Sequence, residues 1–157
     1  MENYSMTILL DSPAEKVFGA LTNNIPLWWT EMFEGIPNKQ GETFTIHFGE
    51  QVFKQFRVQE LEPNRKVVWY VEDSLLDLPD LENKKEWIGT TIIWELTEKN
   101  GNSEIHLTHL GLHPAIECYQ VCLDGWRQFT TSLKSFVETG KGSPYLRSQE
   151  SATEIPQ

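Results

Sequence analysis

Hydrophobic side chains recur at alternating steps of three and four along residues 118–139, as they do on one face of an amphipathic helix. The stripe consists of Tyr119, Cys122, Trp126, Phe129, Leu133 and Phe136, whereas charged and amide side chains lie largely off it. This segment follows a long run of strand-like sequence. The pattern therefore predicts one long helix that closes over one curved sheet and encloses a cavity between the two.

The first forty residues predict one strand and two short helices. Residues 4–10 have the composition of a strand, and Ser12 and Glu15 have the spacing of a helix capping box, with Pro13 at the first helical position. A second, short helix is predicted over residues 25–29. Two adjacent tryptophans, Trp28 and Trp29, cannot share one helix face, so we expect at least one of them to point away from the main core.

From Gly41 onward the hydrophobic period changes to two, which predicts a series of β-strands. Asn100-Gly101 lies between two of them and is a strong signal for a tight hairpin. Residues 72–86 break the alternation because acidic residues are mixed with leucines. This segment is interpreted either as a flap over the mouth of the cavity or as an ordinary excursion of the chain. The predicted strands in this region are 43–48, 51–61, 67–71, 90–98 and 103–110.

The chain has the length and the 39% hydrophobic content of a single globular domain. We expect this domain to span residues 1–140. Gly140 is a natural stop for the last helix. Residues 141–157 are rich in Ser, Glu and Pro and are predicted to form a flexible C-terminal tail.

The net charge of −10 makes nucleic acid and anionic membrane surfaces poor partners, because both repel an acidic protein. The N-terminus lacks the basic flank and apolar length of a signal peptide, so a cytoplasmic protein is expected. Cys118 and Cys122 are one helical turn apart, an awkward geometry for a disulfide, and two free thiols are predicted.

The order of elements and several short motifs resemble a known superfamily. The matching stretches are DSPAEKVF at residues 11–18 with Leu21, Trp28-Trp29, Leu61-Glu62-Pro63, LTHLGL at residues 107–112, and Gly125-Trp126 with Leu133. With these, the chain resembles the START-like (birch-pollen-allergen-like, SRPBCC) superfamily, and within it the branch named after the activator of the heat-shock-protein-ninety ATPase.

The resemblance implies an α+β helix-grip fold. In this fold a curved antiparallel sheet of about six strands wraps around a long C-terminal helix, and two short helices follow the first strand. Members of the superfamily bind hydrophobic molecules, act as cyclases or related enzymes, or contact partner proteins. A chaperone or a second copy of the chain is the protein partner that the resemblance implies. The superfamily has no shared catalytic set to transfer, so the catalytic residues are unknown.

In a helix-grip fold the cavity lies between the sheet and the last helix, which identifies the candidate ligand-binding residues. His109 shares strand parity with Ile105 and Leu107, so its imidazole should face inward, where it could contact a ligand or act as an acid or base. Neither a metal motif nor a phosphate-binding loop occurs in the sequence, and no cofactor is expected. The candidate site residues are Trp28, Trp29, Trp69, Trp94, His109, Tyr119, Cys122 and Trp126.

Three functions are compatible with these features. The first is the binding of a small hydrophobic or aromatic molecule in the cavity, because aromatic residues are concentrated on the elements that enclose it. The second is a cyclase- or hydrolase-type enzyme in which His109 and Tyr119, or a nearby carboxylate, form an acid–base pair. The third is an interaction module in which residues 75–81 and Trp28-Trp29 form an exposed patch for a chaperone.

Overall fold

A single seven-stranded antiparallel sheet and one long helix form the fold. The computed structural model describes residues 3–49, 52–77, 81–114 and 116–146. The strand order across the sheet is β1-β7-β6-β5-β4-β3-β2. The strands are β1 (Tyr4–Leu10), β2 (Phe33–Gly35), β3 (Thr43–His47), β4 (Val52–Glu62), β5 (Lys66–Leu76), β6 (Thr91–Lys99) and β7 (Asn102–Leu110), and the helices are α1 (Ala14–Thr22), α2 (Ile25–Trp28) and α3 (Tyr119–Thr139).

The elements with strong local signals form as predicted, and the α+β helix-grip fold is confirmed. α3 ends at Gly140, which has the left-handed backbone (φ 86°) that glycine adopts without strain. Asn100 and Gly101 both have positive φ (55° and 82°), as a type I′ turn between β6 and β7 requires. The sheet has seven strands rather than about six because the three-residue edge strand β2 pairs with β3.

The predicted capping box of α1 does not form. Ser12 is buried and its Oγ donates a hydrogen bond to the carbonyl of Val137 at 3.3 Å instead of capping its own helix. The free N–H of Ala14 donates to the carboxylate of Glu98 at 2.8 Å. The helix start is therefore satisfied by groups that are distant in sequence, which local spacing cannot reveal.

Both adjacent tryptophans lie in the core, contrary to the expectation that one would point elsewhere. Trp28 and Trp29 are 0% and 3% exposed, and their rings stack 5.2 Å apart. α2 ends between them, so the two side chains do not have to follow one helical face. The exposed patch predicted for a chaperone is absent from the described residues, because these rings are buried together with Leu76 and Leu81.

The predicted irregular segment is shorter than expected at its N-terminal end. β5 continues to Leu76, so the first part of residues 72–86 is strand. Residues 81–90 (the connecting segment) contain turns but neither helix nor strand, and residues 78–80 lie outside the described residues. The connecting segment packs along β5 through backbone hydrogen bonds between Val71 and both Gly89 and Thr90.

Residues 141–146, where the sequence analysis placed the beginning of a flexible tail, lie against the domain and are called the C-terminal strap below. Tyr145 is 2% exposed, forms a bridge with Thr30 and packs edge-on against Phe48 at 5.5 Å. Residues 147–157, the rest of the predicted tail, lie outside the described residues. No helix in the described part of the chain has the length and apolar character needed to cross a membrane.

Candidate functional site

A small cavity lies at the predicted place, between the inner face of the sheet and α3. Its volume is about 10 Å³, close to the minimum for a single water molecule. The aromatic side chains that were predicted to line a ligand-sized space instead fill most of it. The lining residues are Trp29, Phe48, Lys54, Trp87, Cys122, Gly125, Trp126 and Phe129.

Aromatic rings pack around Trp126, which projects from α3 towards the sheet. Trp87 stacks on it at 5.9 Å, while Trp29 and Trp94 each lie 5.7 Å away. Trp69 stacks on Trp29 at 5.8 Å, on the sheet side of this cluster. These contacts explain why the space is nearly closed, since each indole occupies volume that a smaller side chain would leave empty.

Lys54 is the one charged side chain among the residues that line the cavity. It lies on β4 with the same inward parity as Val52, Phe56 and Val58, and is 1% exposed. Its Nζ atom lies 4.4 Å from the ring centroid of Trp87 and 5.6 Å from that of Phe48, within cation–π range. Burial lowers the pKa of Lys54 to about 8, although the nearby Cys122 and Cys118 act in the opposite direction.

The two cysteines are free, as predicted, and play different parts at the start of α3. Cys122 lines the cavity, and its Sγ accepts a hydrogen bond from the indole N–H of Trp87 at 3.0 Å. A hydrogen bond to Cys122, followed by burial, raises the pKa of the Cys118 thiol. Burial also raises the pKa of Cys122. The hydrogen bond from Cys118, the Lys54 ammonium and the Trp87 indole outweigh that effect and lower the pKa below the ordinary thiol value.

His109 faces inward, as its strand parity predicts, and is fully buried. Its Nδ1 accepts the indole N–H of Trp126 at 3.1 Å, so Nε2 carries the proton and donates to Thr90 Oγ1 at 2.9 Å. Thr90 in turn donates to the carbonyl of Trp87 at 2.6 Å. Burial, assisted by the charge of Lys54, lowers the pKa of His109 to about 3, so the ring is neutral and joins α3, β7 and the connecting segment.

Two carboxylates fasten the connecting segment to the beginning of α3. Glu117 accepts the backbone N–H groups of Glu82 and Asn83 at 3.2 and 2.6 Å. In the reverse direction, Glu86 accepts the N–H groups of Glu117 and Cys118, both at 3.0 Å. This carboxylate clasp (Glu86 and Glu117) holds Trp87 over the cavity and satisfies N–H groups that the helix start leaves without partners.

The structure brings only part of the predicted site together. Trp29, Cys122 and Trp126 line the cavity, whereas Trp28, Trp69 and Trp94 are buried in the surrounding core. Tyr119 is half-buried, and in the described part of the chain no hydrogen bond joins it to His109. The version of the acid–base pair that joins His109 to Tyr119 is therefore not formed.

Five lining residues are not among the candidate site residues of the sequence analysis: Phe48, Lys54, Trp87, Gly125 and Phe129. Lys54 could have been found, because every second residue from Val52 to Val58 is otherwise apolar and a lysine in that series must face inward. Trp87 lies in a segment without periodicity, so no pattern indicated its direction.

The family described as "Activator of Hsp90 ATPase homolog 1-like protein" matches residues 11–138. The chain belongs to this family. The match begins directly after β1, includes α1, α2 and the strands β2 to β7, and covers nearly all of α3. It confirms the predicted resemblance. No functionally curated protein matches the chain significantly.

Several solved structures share the fold of this chain. The Aha1 dimer from Colwellia psychrerythraea is 27% identical, with a TM-score of 0.72, and the match covers 90% of this chain and 100% of that one. Protein SSP2350 from Staphylococcus saprophyticus is 17% identical (TM-score 0.69; 92% and 98% covered). Protein MLL2253 from Mesorhizobium loti is 19% identical (TM-score 0.67; 85% and 96% covered), and these last two likenesses concern the fold alone.

Proposed function

We propose that this protein binds a small aromatic molecule that carries one carbonyl or carboxylate oxygen, in the cavity between the sheet and α3. The observation that carries this proposal is Lys54, a buried ammonium among aromatic rings at the wall of the cavity. Rings would hold the apolar part of the ligand, and the ammonium would donate to its oxygen. Sites for small ligands commonly combine apolar walls with few polar groups in this way.

The position of Lys54 supports this use of its charge. Its ammonium is held against aromatic rings at the wall of the cavity, and a desolvated cation–π contact contributes about 2 kcal/mol. A ligand oxygen that accepts a hydrogen bond from Nζ would add a charge-assisted interaction in a place of low dielectric.

A ligand larger than a water molecule enters only if a lining side chain moves, because the cavity measures about 10 Å³. Trp87 is the best candidate for this movement. It is carried by the connecting segment, which has no helix or strand, and is held there by the carboxylate clasp. The ligand ring would then take the stacking position on Trp126 that the Trp87 indole occupies.

Isothermal titration calorimetry with two probes, phenylpropionate and benzylacetone, tests the proposal. Both should bind with one site per chain, and Lys54→Met should weaken phenylpropionate binding at least about tenfold, since a hydrogen bond to a charged group contributes roughly 1.5–3 kcal/mol. Lys99→Met is the matched control, because this lysine lies exposed at the end of β6 and should leave both affinities unchanged. Absence of saturable heat with both probes, or equal affinities in the two variants, would contradict the proposal.

A chaperone and a second copy of the chain, the protein partners implied by the resemblance, stay predictions. The similar Aha1 structure from Colwellia psychrerythraea is of a dimer, and this supports testing for a second copy of the chain first.

A further inference from the structure

Cys122 is placed where a nucleophile would meet a ligand in the cavity. Its Sγ lines the cavity beside Lys54, Trp87 and Trp126. The side chain is 2% exposed, so the thiol meets little water in this closed form. A buried cysteine ordinarily behaves as a small apolar side chain, and the surroundings of Cys122 differ from that ordinary case.

Two donors converge on Cys122 Sγ. The Trp87 indole can only donate, so at 3.0 Å it presents its N–H to sulfur as an acceptor. The Cys118 thiol donates as well, which raises the pKa of Cys118 and lowers that of Cys122, so Cys122 is the sulfur that loses its proton more readily. Lys54 adds a positive charge on the sheet side. When Trp87 moves to admit a ligand, the Cys118 thiol and the Lys54 ammonium remain next to this sulfur, and a donor with a cation stabilises a reactive thiolate.

Other charged groups near Cys122 have smaller or opposing effects. Glu86, in the connecting segment, faces the start of α3 and disfavours the thiolate, although its carboxylate accepts hydrogen bonds from two backbone N–H groups. His109 faces the same region from β7 and is neutral. The positive end of the α3 dipole favours a thiolate in the first turn of the helix.

We propose that Cys122 and Lys54 form a covalent capture site for aromatic α,β-unsaturated carbonyl compounds. This inference rests on the proposed function, because the same cavity must admit the aromatic ring. It assigns the oxygen-binding role to Lys54 and the bond-forming role to Cys122, and so specifies a class of ligand with an electrophilic carbon next to the carbonyl group.

The reaction is an addition that needs no oxidant, reductant or further reactant. The Cys122 thiolate gives its electron pair to the β-carbon, and a C–S bond forms as the carbon–carbon π bond breaks. The displaced π electrons move towards the carbonyl group and produce an enolate next to the Lys54 ammonium. The α-carbon then takes one proton from Lys54, which leaves a thioether and a neutral amine.

The test uses the folded protein, benzylideneacetone as the electrophile, and benzylacetone as its saturated counterpart. Intact mass measurement should find one adduct per chain, and peptide mapping should locate it on Cys122. The rate should saturate with probe concentration and should fall when benzylacetone competes for the cavity. Cys122→Ser should form no adduct, whereas Cys118→Ser should still be labelled at Cys122.

Lys54→Met separates assisted addition from simple thiol reactivity. It should slow adduct formation at least about tenfold, because a positioned general acid contributes more than that. The urea-unfolded chain supplies the reference rate for a thiol without any site. Labelling of both cysteines at this reference rate, or an unchanged rate in Lys54→Met, would overturn the inference.

The two proposals fail in distinguishable ways. Calorimetric binding of benzylacetone without any adduct from benzylideneacetone would refute covalent capture and leave the proposed function intact. Absence of both benzylacetone binding and adduct formation would refute the two together.

Discussion

Lys54 places a basic side chain in the interior of the protein, where burial disfavours its charged form. Its ammonium lies against Trp87 and Phe48, while the neutral imidazole of His109 is held nearby with a pKa of about 3. Each of these groups titrates at a lower pH than it would in water because burial disfavours the charged form. The two residues therefore make the stability of the fold depend on pH in separate windows.

Lys54→Met should make the stability of the protein less dependent on pH, because it removes a buried group with a lowered pKa and keeps the length of the side chain. The folded pKa of Lys54 is about 8, below the ordinary lysine value of 10.5, so the unfolded chain binds more protons between these values. The stability of the wild type should consequently rise with pH across this window, by about 1–3 kcal/mol relative to that of Lys54→Met.

Urea denaturation of both proteins from pH 7 to pH 10.5 measures this effect. Lys99→Met provides the comparison for general loss of a positive charge, since Lys99 is exposed. A difference between wild type and Lys54→Met that stays constant over the window would show that Lys54 does not change protonation in this range.

For individual residues, the sequence predicts which face of the sheet a side chain points to. The inward direction of Lys54 follows from the period of two along β4, just as that of His109 follows along β7. What residue spacing cannot supply is the partner of each group. The pairing of His109 with Thr90 and Trp126 depends on contacts between elements that are 17–19 positions apart in sequence.

At the scale of elements, prediction succeeded where the determining interactions are local. The stripe of α3 and the Asn100-Gly101 hairpin are specified by neighbouring residues and form as expected. The capping box predicted for α1 does not form, because the Ser12 hydroxyl donates to the carbonyl of Val137 and the Ala14 N–H donates to the carboxylate of Glu98. The start of α3 is another such case, since its N–H groups are capped by Glu86 from the connecting segment.

Loss of the carboxylate clasp should loosen the connecting segment and expose the cavity. Glu117→Ala removes the acceptor of the N–H groups of Glu82 and Asn83, so these amides should exchange with solvent several-fold faster. Hydrogen exchange of the native protein, followed by mass spectrometry, measures the change. Alkylation of Cys122 by iodoacetamide should accelerate in the same variant, because Trp87 lies in this segment.

Glu82→Gln is the matched control for the clasp, since it changes an adjacent carboxylate while the backbone N–H that binds Glu117 is retained. Backbone hydrogen bonds from Asn83 and Glu82 lower the pKa of Glu117, so the Glu117 part of the clasp is fully present above the ordinary glutamate pKa and is lost as the pH falls through the lowered value. Equal exchange rates in Glu117→Ala and Glu82→Gln would argue against a fastening role.

At the scale of the whole molecule, the architecture was predictable and the volume of its interior was not. The order of elements and the short motifs identify a helix-grip fold. Whether its interior is hollow depends on a small difference between two large quantities, the space between sheet and helix and the volume of the side chains that enter it. Here Trp29, Trp69 and Trp94 fill nearly all of it and leave about 10 Å³.

The C-terminal strap completes this interior from the outside. The ring of Tyr145 packs on Phe48, which lines the cavity. Its backbone N–H donates to the carbonyl of Trp29, and its carbonyl accepts the N–H of Glu31, both at 2.9 Å. Composition alone assigned this stretch to the tail, because one aromatic residue among polar residues gives no periodic signal.

Tyr145→Ala should therefore lower the free energy of unfolding by about 2–4 kcal/mol, the range for removing a large buried side chain. Urea denaturation measures the effect, and Leu146→Ala is the control within the same segment, because this side chain is 42% exposed and should change stability by less than about 0.5 kcal/mol. Tyr145→Ala also removes a ring that packs against Phe48, so the tryptophan fluorescence of this folded variant should shift to longer wavelength as water reaches the cavity. If the two variants unfold at the same urea concentration, the strap does not stabilise the domain in solution.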